Sequence, residues 1–208
     1  MISNPIIRNA LKQSFLMPFL QNLQIADWKR RGRPIPPPNA VKQQTVREYA
    51  QRFETKNLVE TGTYLGDMIY TTHANFDRVF SIELNEELHK RAQTRFAQYK
   101  HVFLFQGDSA TVLPSIMSEI KEPCLFWLDA HYSGGITAKA AIDTPIIQEL
   151  ICIFTHPIAE NHVILIDDAR HFIGQNDYPK LEELRAFVLA RFPRWKFEVK
   201  DDVIRTHG

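Results

Sequence analysis

Three runs in the sequence, Val102-Phe103-Leu104-Phe105, Cys124-Leu125-Phe126-Trp127-Leu128 and Val163-Ile164-Leu165-Ile166, are apolar at every position. A strand with one wet face alternates apolar and polar residues. A strand that is apolar throughout has to be covered on both faces, and that happens in parallel sheets flanked by helices. The segments between these runs carry helical periodicity. Taken in order, strands are expected at 57–60, 78–83, 101–106, 123–129 and 162–167, with helices at 67–75, 86–99, 110–120, 145–154 and 178–192. Pro145 is expected to open its helix as a first-turn proline. Two short strands, 196–199 and 203–206, end the chain and are expected to pair. Strict alternation implies right-handed parallel crossovers. The fold class is therefore α/β: a Rossmann-like, doubly wound, mostly parallel sheet whose ligand lies outside the carboxyl ends of its strands.

Ahead of this unit, Ile7, Leu11, Phe15, Leu16, Phe19, Leu20 and Leu23 recur at helical spacing, with a break expected near Pro18. The stretch Arg33-Pro34-Ile35-Pro36-Pro37-Pro38-Asn39 reads as a stiff linker, because proline removes backbone donors and fixes φ, and a helix over 41–53 follows. Residues 1–40 are thus an N-terminal helical extension and linker, and residues 41–208 a single ligand-binding domain. A length of 208 residues suits one such core. The extension either caps the site or makes a homodimer, and the sequence leaves both open.

Lys and Arg number 25 against 24 acids, a formal net charge of +1, so the basic excess of a nucleic-acid binder is missing. The local run Lys29, Arg30, Arg31 and Arg33 reads as a solvated helix end. Cys124 and Cys152 sit in apolar runs and read as free thiols. No stretch has the ~18 unbroken apolar residues of a membrane span, and the first residues lack a signal-peptide pattern. The expectation is a cytoplasmic protein that touches neither membrane nor nucleic acid.

Polar residues cluster where the strands stop. The first strand ends in Glu60-Thr61-Gly62-Thr63-Tyr64-Leu65-Gly66, a turn in which glycine lets backbone approach a ligand. Glu83 follows Gly62 by 21 positions, the spacing at which a Rossmann acid meets ribose hydroxyls. A surface acid at a strand end is the competing account. The third strand ends in Gly107-Asp108-Ser109. Either residue could meet an exocyclic amine, and either could cap the next helix. Tyr64 stands where a dinucleotide site needs its second glycine, which argues for a ligand without a diphosphate.

Arranged one per strand end, ETGTYLG, SIE, GDS and WLDAH resemble a class I S-adenosylmethionine (SAM)-dependent methyltransferase over roughly 41–208. Leu128-Asp129-Ala130-His131 and Ile166-Asp167-Asp168-Ala169-Arg170 are most similar to the branch of macrocin O-methyltransferase and cephalosporin-biosynthesis methyltransferase-like proteins. The resemblance implies that Glu60, Gly62, Thr63, Tyr64 and Gly66 lie at the methionine part of SAM. It implies Glu83 at the ribose, Asp108 and Ser109 on the adenine side, and Asp129 beside the reacting methyl group. It also implies a divalent cation such as Mg²⁺ on Asp129, Asp167 and Asp168. Three converging carboxylates need a cation or a proton, although one or two of them could instead cap loops or pair with Arg170. Asp129 and His131 are the candidate catalytic residues. His131 could take a hydroxyl proton from a small acceptor, or be structural. The expected activity is O-methylation of a small hydroxylated acceptor, a sugar or natural product. A nucleoside-binding module without turnover and a metal-dependent hydrolase are the competing functions.

Overall fold

The structure, a computed structural model, describes residues 17–129 and 144–208. The expected helical segment before Pro18 and the loop carrying His131, Gly134 and Gly135 lie outside the described residues. The chain folds as two helices, α1 (Met17–Arg30) and α2 (Asn39–Arg52), followed by an alternating α/β unit. Its elements are β1 (Asn57–Thr61), α3 (Asp67–Thr72), β2 (Arg78–Glu83), α4 (Glu86–Phe96), β3 (Val102–Gln106), α5 (Ser109–Glu119), β4 (Cys124–Leu128), α6 (Ile146–Phe154), β5 (Val163–Ile166), α7 (Leu181–Arg191), β6 (Lys196–Lys200) and β7 (Val203–His207). The expected doubly wound, mostly parallel sheet is present. Its order is β3-β2-β1-β4-β5-β7-β6, with β7 antiparallel to both β5 and β6.

Two of the three all-apolar runs, those of β4 and β5, are explained by cover on both faces; the third, β3, expected to be covered in the same way, is an edge strand with Phe103 exposed. On one face Val59, Phe80, Phe126, Ile164 and Ile204 pack with residues of α5, α6 and α7. On the other, Leu58, Val79, Leu125, Trp127 and Leu165 pack with residues of α2, α3 and α4. Strand β3 forms one edge and is only partly buried. α1 is held to α2 by a small cluster of Ile25, Trp28, Ala40 and Val41, and by a 2.8 Å hydrogen bond from Gln21 to Gln43.

Local differences from the sequence expectation have physical causes. The helix expected over 67–75 is α-helical only to Thr72 and tightens to a 3₁₀ turn at His73–Asn75. Both Thr71 and Thr72 hydroxyls bond carbonyls of the preceding turn, an alternative to continuing the helix. Pro145 sits one residue before α6 with φ −84° and ψ 10°, as its N-cap rather than in its first turn. Pro18 stands in the first turn of α1, where its missing N–H has no cost. Cys124 and Cys152 are free, as expected.

Candidate functional site

Strand order reverses between β1 and β4: the chain moves outward through β2 and β3, then returns to β4 and β5. At such a point the two outgoing connections diverge and leave a crevice beyond the strand ends. The Asp129 amide donates to the Thr61 carbonyl at 3.0 Å, and the Asp167 amide to the Leu128 carbonyl at 3.0 Å. The residues expected from the ends of β1, β4 and β5 are therefore drawn together.

The turn after β1 is held from β2. The amides of Gly62 and Thr63 both donate to the Ile82 carbonyl, at 2.9 and 3.1 Å, so these two amides are already committed. Gly62 has φ 89° and Gly66 φ 72°, and Tyr64 lies at φ 49°, a left-handed conformation strained for a residue with a Cβ. The Tyr64 amide donates to Glu83 Oε2 at 2.7 Å, and the Asn85 amide to Glu83 Oε1 at 2.8 Å. Glu83 is thus no surface acid. It is buried and ties the β1 turn to the β2 turn. An ionised carboxylate offers about four lone-pair directions, so two remain for ligand hydroxyls.

Glu60 points into the protein at 1 % exposure. Ser81 Oγ lies 2.5 Å from its Oε2 and 2.6 Å from Thr63 Oγ1, a polar chain linking β1, β2 and the turn. Burial pushes the Glu60 carboxyl up to about 8. Asp108 is the N-cap of α5, accepting from the Ala110 amide at 2.9 Å. Ser109 begins that helix, buried, and its hydroxyl and that of Thr61 both lie against the Glu149 carboxyl, where they oppose the effect of its burial. The residues present fit a nucleoside-bearing group through a turn that requires left-handed backbone and an acid with spare lone pairs.

Asp129, Asp167 and Asp168 converge as the sequence suggested, with one carboxylate oxygen from each within 4.8 Å of the others. What compensates their charge is a residue that sequence reasoning missed. Lys42, in the first turn of α2, places Nζ 2.5 Å from Asp167 Oδ2 and 2.9 Å from Asp168 Oδ1. Arg170 Nη1 also donates to Asp168 Oδ1, at 2.8 Å, and the same nitrogen bonds Asp202 Oδ2. Burial works against the Lys42 ammonium, but Asp167 and Asp168 outweigh it and hold its pKa above the ordinary lysine range. Asp168 is also opposed by burial, yet Lys42 and Arg170 bring it down to about 2. Asp167 goes the other way, raised by burial and by the field of Asp129. As arranged, one oxygen each of Asp167 and Asp168 is held by the ammonium, so a divalent ion entering the cluster would have to compete with Lys42.

Glu149 was missed as well. It sits within the apolar stretch of α6, 1 % exposed, and burial pushes its carboxyl up to about 7 against the opposing hydroxyls of Ser109 and Thr61. With Asp129, Thr144, Asp167, Phe172 and Tyr178 it lines a cavity of about 10 Å³, room for about one water. A lone carboxyl within an apolar helical run was its only sequence signal.

The sequence matches no protein-family profile and no curated protein sequence. Solved structures do match the fold. The methyltransferase PaMTH1 of Podospora anserina, solved with S-adenosylhomocysteine (SAH), aligns at TM-score 0.58 and 17% identity over 88% of this chain and 86% of its own. The O-methyltransferase TomG of Streptomyces achromogenes, involved in tomaymycin synthesis and solved with SAM, aligns at 0.58 and 15% identity over 90% and 89% of the two chains. The 23S rRNA methyltransferase ErmE aligns at 0.50 and 14% identity over 79% of this chain and 67% of its own. The chain has the class I fold of SAM-dependent methyltransferases. The range of these neighbours means that fold alone does not choose an acceptor.

Proposed function

We propose that the protein is a SAM-dependent methyltransferase acting on an oxygen of a small hydroxylated acceptor. One observation carries this: Glu83, buried at the end of β2, ties the β1 turn to the β2 turn by accepting from the Tyr64 and Asn85 amides and has acceptor capacity left over, on a fold shared with SAM-dependent methyltransferases. SAM, when bound, supplies a methyl group made electrophilic by its sulfonium. Glu60, Gly62, Thr63, Tyr64 and Gly66 would hold the methionine part, Glu83 the ribose, and Asp108 and Ser109 the adenine side. Asp129 would orient the acceptor hydroxyl, since alignment supplies much of the rate in a displacement of this kind. His131, two positions beyond Asp129 in sequence, would take the hydroxyl proton. A small acceptor is preferred to RNA because the formal net charge is only +1. The finer kinship with macrocin O-methyltransferase is supported by WLDAH and IDDAR, the two strand ends that supply Asp129, Asp167 and Asp168.

The test has two arms. Calorimetry with SAH should show one site that weakens in Gly62→Val, where a branched side chain at φ 89° strains the turn. A labelled-methyl assay against hydroxylated acceptors, with and without chelator, should give transfer that the chelator leaves intact. Absence of SAH binding in the folded protein would remove the proposal. Binding without transfer to any acceptor would favour the non-catalytic module, and transfer abolished by chelator would restore the Mg²⁺ expected from the sequence.

A further inference from the structure

The acid cluster is built around a cation that the chain itself supplies. Lys42 Nζ bridges Asp167 Oδ2 and Asp168 Oδ1 at 2.5 and 2.9 Å across a separation of 125 and 126 residues. The side chains of Lys42, Asp167 and Asp168 are 13%, 2% and 8% exposed. The two acids are fixed independently of the lysine. The Asp167 amide is bonded to Leu128, the Asp168 amide donates to Asp167 Oδ1 at 2.8 Å, and Arg170 spans Asp168 and Asp202. Lys42 is anchored from α2, which packs on one face of the sheet through Val46, Tyr49 and Ala50. Acids and ammonium therefore meet because two separately packed elements bring them there.

A hard divalent ion binds carboxylate oxygens at about 2.0–2.6 Å. Lys42 Nζ sits on one oxygen of Asp167 and one of Asp168, so an ion entering the cluster of Asp129, Asp167 and Asp168 would meet the ammonium at close range. Two cations sharing those oxygens repel each other at close range in a poorly solvated place. The tethered ammonium also competes as an intramolecular partner, without the cost of bringing in a separate ion.

We propose that Lys42 is the resident cation of this site: its ammonium takes the place among Asp129, Asp167 and Asp168 that a divalent ion would take, excludes that ion from the native protein, and positions the acids without it. Lys42 is a positioning residue. Removing its charge opens a position for a metal ion.

Mn²⁺ is the probe, followed by electron paramagnetic resonance on the full chain, in the parent, Lys42→Gln, Lys42→Met and Lys42→Met/Asp167→Asn. Folding is checked by circular dichroism. The parent should leave Mn²⁺ free. Lys42→Met and Lys42→Gln should each bind one Mn²⁺, tighter than the parent by about tenfold or more, that is about 1.4 kcal/mol or more. Adding Asp167→Asn should abolish the gain. A purely structural lysine, once removed, creates no metal site, so failure of both folded variants to gain Mn²⁺ overturns the proposal. Stoichiometric Mn²⁺ binding by the parent overturns it without any variant. No arm depends on methyl transfer, and SAH calorimetry on the same samples reports separately on the function proposed above.

Discussion

Glu60 makes the stability of this protein depend on pH in a direction that can be calculated. Its carboxyl is buried and raised from the usual 4.5 to about 8, mainly by loss of solvent, and the hydrogen bond from Ser81 only partly opposes the shift. The folded state therefore holds a proton that the unfolded chain releases. That contribution is fully present below pH 4.5, declines as pH rises, and is gone once the folded value near 8 is passed. Glutamine keeps the shape and the acceptor for Ser81 but cannot titrate. At ~1.36 kcal/mol per pKa unit, the stability of Glu60→Gln relative to the parent should rise by about 4 kcal/mol between about pH 5 and 9. Urea unfolding of both proteins at several pH values measures this, and taking the difference cancels the other titrating groups. A stability difference that stays constant across the range would mean that Glu60 is ionised in the fold, and the account of its environment would fail.

Three further outcomes are expected. A cationic ligand placed beside Glu60 favours its ionised form, so SAM binding at neutral pH should release protons, seen as a dependence of calorimetric enthalpy on buffer; Glu60→Gln should lose that dependence, and identical enthalpies in the two proteins would contradict it. In Gly66→Ala the new Cβ would lie 2.6 Å from Phe96 Cε2 at a φ of +72°. Strain and overpacking together should then cost about 1–3 kcal/mol in urea unfolding, and unchanged stability would show that Phe96 yields freely. Glu83→Ala should weaken SAH by about 1–3 kcal/mol; because it also frees the amides of Tyr64 and Asn85, stability should fall with it, and unaltered affinity would dismiss the ribose contact.

The parts that could be read in the sequence are those in which a local pattern has one physical solution. Strands such as Val163–Ile166 are apolar at each position because helices cover both faces, and no other arrangement suits them. Glu83 could be found because its distance from Gly62 is set by the length of one strand-helix-strand passage. Lys42 could not, since it meets its partners only after α2 folds back across the strand ends. Its local pattern is that of any lysine in a helix. Glu149 was hidden for a related reason: one acid in an apolar helix ordinarily faces solvent, and only the packing of α6 shows that it faces inward. Asp108 caps α5, one of two compatible accounts that its position allowed, and it was the packing that showed it.

The order β5-β7-β6 sets a sequence of dependencies for a chain that emerges in order. Strand β6 is made before β7, yet among the described strands its sole neighbour is β7, so it has nowhere to dock when it appears. Until β7 arrives, the free edge of β5 presents unpaired backbone groups, the kind of surface that recruits strands from other molecules. The closing piece is a hairpin whose inner strand, Val203–His207, is buried at each position while its outer strand is largely exposed. Variants that slow this hairpin should reveal themselves in the yield of soluble protein before they alter the finished molecule.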